Sequence, residues 1–179
     1  AEKLSIAQQK WLVGKSQPKA CDPVMAWLKQ QKTYTNELIW QRAELALDKR
    51  NWSLAKSLAK QLTGERAKQY QAWLSVRRKP ESILDPTIAT LFSQHTQQHR
   101  KLAIYAVNRM LAKDLVEAEL LWAELQKRHS FTAQAAQNLS RRLAVRSAQR
   151  HYDDALPRLE NLPDEAVNEQ VREWRVRAA

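Results

Sequence analysis

Glycine occupies only two of the 179 positions, Gly14 and Gly64, and nothing else in the sequence constrains the fold as much. A β-sheet reverses direction every few residues, and its tight turns need Gly, Asn or Asp at positive φ. That supply is missing here. The bulk of the chain is Ala, Leu, Gln, Lys, Arg and Glu, which lose little on entering a helix. The apolar positions follow a helical period from end to end. They predict helices at about 2–13, 18–31, 35–49, 52–62, 65–78, 86–96, 98–112, 115–128, 132–149, 152–161 and 165–178. Gly14 is expected to stop the first helix as its C-cap, and Pro18 or Pro23 to sit in the first turn of the second. Asn51, Asp114 and Thr132 are placed to cap the helices that follow them. Pro80 and Pro86 interrupt the middle of the chain, so a first part is expected at 1–79 and a second at 80–179.

An internal similarity organises these helices. The stretches DKRNWSLAKSLAKQL (48–62), LAKDLVEAELLWAELQ (111–126) and AQRHYDDALPRLENL (148–162) share one plan. A helix ends in a basic turn, and a large residue follows (Trp52, Leu115, Tyr152). An alanine comes next (Ala55, Ala118, Ala155), and a leucine closes the unit (Leu62, Leu125, Leu162). The alanine permits close helix approach, and the large residue is expected to fill the groove beside it. Such units cannot each bury an apolar face alone, so they stack. The expected fold is all-α: a right-handed α-α superhelix of stacked antiparallel helix pairs, similar to tetratricopeptide repeats. An ordinary antiparallel helical bundle is the alternative.

Thirty Lys and Arg against nineteen Asp and Glu leave a formal charge of +11. That field favours polyanions: nucleic acid, anionic lipid or a carboxylate-bearing polymer. No helix-turn-helix or pair of stacking aromatics points to nucleic acid. No apolar run is long enough to span a bilayer, and the first ten residues lack a signal-peptide pattern, so a leader is expected to be either absent by nature or removed.

Arg142, Arg146 and Arg150 recur every four residues and should form one basic stripe, a candidate contact for the carboxylates of an anionic polymer or for a partner domain. The plainer reading is a hydrated face paired with local acids. Arg172 and Arg175 suggest a similar stripe. His95 and His99 share a helix face at metal-ligand spacing, but no third ligand is evident, and a solvated face is the expected reading. Trp40, Trp52, Trp73 and Trp122 lie beside Leu and Ala and are expected in the core. Trp174 is expected to mark a surface completed by other residues. No catalytic triad or glycine-rich phosphate loop is present, and no cofactor, metal or catalytic residue is expected in this chain.

The stretch WLVGKSQPKACDPVMAWLKQQ (11–31) carries a recognisable pattern: Trp11, Gly14, Ser16, Pro18, Cys21, Asp22 and Trp27. It resembles a segment of the superhelical region of soluble lytic murein transglycosylases, where a helix ending in W-x-x-G-x-S leads to a Pro-x-x-Cys-Asp helix start and a tryptophan. The WQRAELALDKRNWSLAKSLAKQL that follows resembles the next helix pair. The likeness is specific over the first third of the chain and continues beyond it as pattern. Physically the motif reads as a tight corner, in which Ser16 and Pro18 begin the next helix and Trp11 and Trp27 pack across the junction.

The resemblance implies a periplasmic protein in which a curved helical scaffold holds a lysozyme-like domain. That domain cleaves the MurNAc–GlcNAc bond of peptidoglycan and leaves a 1,6-anhydro sugar. A glutamate beside a serine acts as its acid and base, and a Gly-Leu-Met-Gln motif lies shortly after. This sequence departs from that pattern: Glu81-Ser82 follows Lys79-Pro80, where a helix commonly begins, and no Gly-Leu-Met-Gln exists. The resemblance therefore implies a scaffold portion without the catalytic domain, inactive alone, with peptidoglycan and that missing domain as partners. It also implies that Cys21 is half of a disulfide to a cysteine further upstream than Ala1. Two other classes stay open: a stand-alone adaptor that binds a protein segment, and a basic helical repeat that binds nucleic acid.

Overall fold

The computed structural model describes residues 2–92 and 96–179. Among them there is no strand; the chain is all-α. It forms two compact units, Ala1–Gln71 and Ala72–Ala179, and helix α5 (Gly64–Arg78) runs through the boundary.

The first unit contains α1 (Glu2–Trp11), α2 (Asp22–Lys29), α3 (Asn36–Asp48) and α4 (Trp52–Ala59). Helix α1 packs on α2, and α3 on α4. A short link between packed helices makes α3–α4 an antiparallel hairpin. Local chemistry fixes both of its ends. Thr35 caps α3 by accepting from the amide of Leu38, and Asn51 caps α4 by accepting from Leu54. Between them Arg50 adopts φ 56, the left-handed conformation that lets a helix turn out. The Asn51 amide then reaches the carbonyl of Ala46, and the Arg50 amide that of Leu47. With glycine so scarce, a basic residue takes the place where glycine is easiest. Trp40, fully buried, anchors the α3 face, and truncating such a side chain costs about 3–5 kcal/mol.

The second unit holds α6 (Pro86–Leu91), α7 (Gln97–Leu111), α8 (Leu115–Arg128), α9 (Ala133–Gln149), α10 (Ala155–Glu160) and α11 (Glu169–Ala178). Asp114 and Thr132 cap α8 and α9 as the sequence predicts. Helices α7 and α8 pack together, α9 packs on both, and α10 and α11 lie against α9. The α9–α10 junction repeats the α3–α4 ending: His151 sits at φ 54, Tyr152 donates to the carbonyl of Ser147 and His151 to that of Ala148. The repeat alanines Ala55, Ala118 and Ala155 are buried at 0%, 0% and 3% exposure, so each marks a close helix approach.

The 11–31 segment differs in detail from its sequence reading. Gly14 is not a left-handed cap; Gly64 is the only glycine at positive φ among the described residues. Helix α1 has already ended at Trp11, and Gly14 lies against the backbone of α3. A Cβ there would stand 2.1 Å from the Leu45 carbonyl oxygen. Glycine is required for proximity rather than for dihedral freedom. Ser16 is exposed and begins no helix, and Pro18 precedes a single 3-10 turn, Lys19–Cys21. The true helix starts at Asp22, with Pro23 in its first turn. Trp11 and Trp27 have separate partners. Trp11 meets the edge of Tyr34 at 5.2 Å and donates from Nε1 to the Leu38 carbonyl, while Lys3 lies over Trp27. Beneath Trp11 lies Arg42, only 5% exposed, its guanidinium 4.2 Å from the ring and one nitrogen donating to the Lys15 carbonyl. Burial holds this guanidinium below its ordinary pKa, and Tyr34 acts in the opposite direction. Cys21 is a free, half-buried thiol.

Candidate functional site

The α9 stripe is where positive charge and concave surface coincide. Four residues advance an α-helix by about 6 Å, so Arg142, Arg146 and Arg150 project as one row at the end of α9. Two clefts flank that row. The first, about 350 Å³, is lined by Asn108, Leu111 and Ala112 of the α7 end, by Arg141, Arg142, Val145, Arg146 and Gln149 of α9, and by Gln170 of α11. The second, about 250 Å³, is bounded by Leu111, Lys113, Asp114, Leu115, Arg146, Arg150 and Tyr152. Leu111 and Arg146 belong to both.

The cations are held by neutral groups. Arg142 donates to the Asn108 side-chain oxygen at 2.8 Å, and the Asn108 amide in turn donates to the Ile104 carbonyl at 2.7 Å. Arg141 donates to Asn138, and Arg146 reaches Gln149 at 3.5 Å. Among the described residues no carboxylate lies within ion-pairing distance of Arg141, Arg142, Arg146, Arg150 or Lys113. The expectation of a face paired with local acids therefore fails. Three other acids of this unit hold their own partners: Glu119 and Asp154 pair with Arg158, and Glu124 with Lys127 and Arg128. Asp114 spends one oxygen capping the amide of Glu117. The second cleft also meets the amino end of α8, whose dipole adds positive potential.

Other candidates fall elsewhere. Arg175 does not extend a free stripe: its guanidinium donates twice to the Leu159 carbonyl, at 2.8 and 3.2 Å, and closes the end of α10. Tyr152 does not fill a helix groove as its place in the repeat implied: α10 begins only at Ala155, and Tyr152, in the link before it, is 38% exposed and lines the second cleft. His95 lies outside the described residues. His99 is no part of a solvated face; it is fully buried, its ring 4.6 Å from that of His129 and 6.0 Å from Phe92. Trp40, Trp73 and Trp122 are core residues, Trp52 is half-buried, and Trp174 lies partly buried against the Val171 cluster with Arg177 over its ring. Glu81 is exposed, and Ser82 donates to the Lys79 carbonyl at 2.7 Å, so this pair only starts a 3-10 turn.

Sequence reading picked out the three arginines but missed Asn108, Lys113, Gln149 and Gln170. Lys113 belongs to the basic turn before the second repeat unit, the one available hint. The amides carry no periodic signal.

Comparison with known proteins finds likeness to a solved structure and to a family model. The crystal structure of an inactive mutant of lytic transglycosylase Slt from Pseudomonas aeruginosa is 28% identical, with a TM-score of 0.69. The match covers 99% of this chain and 28% of that one. Residues 2–76, less than half of this chain, match the Cucumovirus coat protein family. No curated protein matches.

Proposed function

We propose that this chain is a portion of the helical scaffold of a lytic transglycosylase that acts on peptidoglycan, and that it positions a catalytic domain lying outside the sequence. The observation that carries the reading is the likeness to lytic transglycosylase Slt along virtually the whole chain, at an identity high enough to reach side-chain pattern as well as fold. The W-x-x-G-x-S and Pro-x-x-Cys-Asp pattern of residues 11–22 supports it independently. The viral coat match covers less of the chain and shares neither support.

On this reading the protein works at the cell envelope, in the periplasm. No helix among the described residues is long and apolar enough to cross a membrane. Cys21 would pair with an upstream cysteine of the parent protein. The parent cleaves MurNAc–GlcNAc bonds to 1,6-anhydromuropeptides; the scaffold contributes placement and retention of the polymer, and its basic surface suits a carboxylate-bearing strand.

Sedimentation with insoluble murein, paired with a murein-gel activity assay, tests this. The purified chain should sediment with murein and clear none of it. A cleared band would overturn the scaffold assignment, and failure to sediment would remove peptidoglycan as its partner. Binding to duplex DNA that exceeds murein binding and collapses with added salt would favour the nucleic-acid class instead.

A further inference from the structure

We infer that the clefts on either side of Arg146 form one two-part site for a carboxylate-bearing segment of peptidoglycan, with one carboxylate in each cleft. The inference rests on the peptidoglycan reading and adds to it a place and a binding chemistry.

Arginine is the side chain best suited to grip a carboxylate, because its planar donors match the two oxygens. Here Arg141 and Arg142 serve the first cleft, Arg150 and Lys113 the second, and Arg146 stands between them. Among the described residues no carboxylate pairs with these charges, so a ligand would displace water rather than an ion pair seen there. The walls add groups that recognise a sugar or peptide and not a bare anion. Gln149 and Gln170 bring side-chain amides to the first cleft, and Tyr152 brings an aromatic ring and hydroxyl to the second. Asp114 on the wall of the second cleft argues against phosphate: it repels a dianion more than a monoanion, and it can accept from a ligand hydroxyl or amide. A single exposed tyrosine also falls short of the stacked aromatics with which proteins follow single-stranded nucleic acid. The outer arginines stand about 12 Å apart along the helix, which sets the reach between the two carboxylates.

The test uses the whole chain in calorimetric titrations with a soluble disaccharide-peptide prepared from murein, the same compound with its carboxylates methyl-esterified, and a short DNA duplex. Losing the shared charge in Arg146→Gln should weaken disaccharide-peptide binding about tenfold, and Arg142→Gln or Arg150→Gln about threefold each. Arg172→Gln, at an exposed position of α11 outside both clefts, should leave it unchanged. The esterified compound should bind at least about tenfold more weakly than the free acid. Equal binding by Arg146→Gln and the unaltered chain overturns the site, as does equal affinity for acid and ester, or a preference for DNA that depends on these arginines. NMR titration with suberate, a simple dicarboxylate, separates the two layers. Murein sedimentation that ignores Arg146→Gln removes the cleft site and leaves the scaffold reading. Suberate shifts that vanish in Arg146→Gln, with no murein sedimentation, keep dicarboxylate recognition and remove peptidoglycan.

Discussion

Arginine serves opposite purposes in the two units. At the 11–49 corner Arg42 is buried beneath Trp11, its charge spent on a ring face and a backbone carbonyl. Along α9, Arg142, Arg146 and Arg150 line two clefts, the first two steadied by Asn108 and Gln149. Net charge makes no distinction between these uses. What separates them is whether the protein already supplies the counter-group, and a formal charge of +11 cannot be converted into a binding surface until that is known.

The contrast can be strained most at Gly14. If the corner depends on backbone contact with α3, Gly14→Ala should cost about 3 kcal/mol through overpacking, read as a lower denaturant midpoint. A loss below about 0.5 kcal/mol would show that the corner can give way.

Next comes arginine itself. Arg42→Ala should cost about 2 kcal/mol, since it removes stem packing and a cation–π contact together. The same change at Arg142, Arg146 or Arg150 should stay within about 0.5 kcal/mol while weakening murein binding. Equal stability losses at the two places would erase the difference between them.

The helix endings offer a control common to both units. Arg50→Gly and His151→Gly should each stabilise the fold by up to about 1 kcal/mol, because both positions hold left-handed backbone that glycine adopts freely. Stabilisation of only one would mean that the shared hydrogen-bond pattern hides different strain.

A smaller, pH-dependent effect belongs to the corner. Burial raises the pKa of Tyr34, against the opposing pull of Arg42. A group with a raised folded pKa gives its full stability below the unfolded value, about 10, and loses it as pH climbs through the folded value. Thermal melts should therefore weaken above about pH 10, and Tyr34→Phe should flatten that limb. An unchanged limb would mean that the phenol reaches water freely.

Much of the fold was legible because helix formation leaves local marks. The α8 and α9 starts follow from Asp114 and Thr132, side chains that satisfy free amides only a few residues away. Gly14 was legible as special but not for its actual reason, since contact with Leu45 involves residues far apart in sequence. The same limit applies to the clefts. Spacing by four placed Arg142, Arg146 and Arg150 on one face of one helix, whereas Asn108 and Gln170 arrive from two others whose docking no local pattern reports. His99 shows the converse: a polar neighbourhood suggested exposure, and aromatic neighbours buried it.

The contact between Gly14 and Leu45 also bears on the order of assembly. The α3–α4 hairpin closes through near neighbours and can form early, but the Gly14 segment has no surface to settle on until the third helix has its shape. Residues 2–21 should dock late and be first to detach, so their amides should exchange with deuterated solvent well before those of the hairpin they lean on.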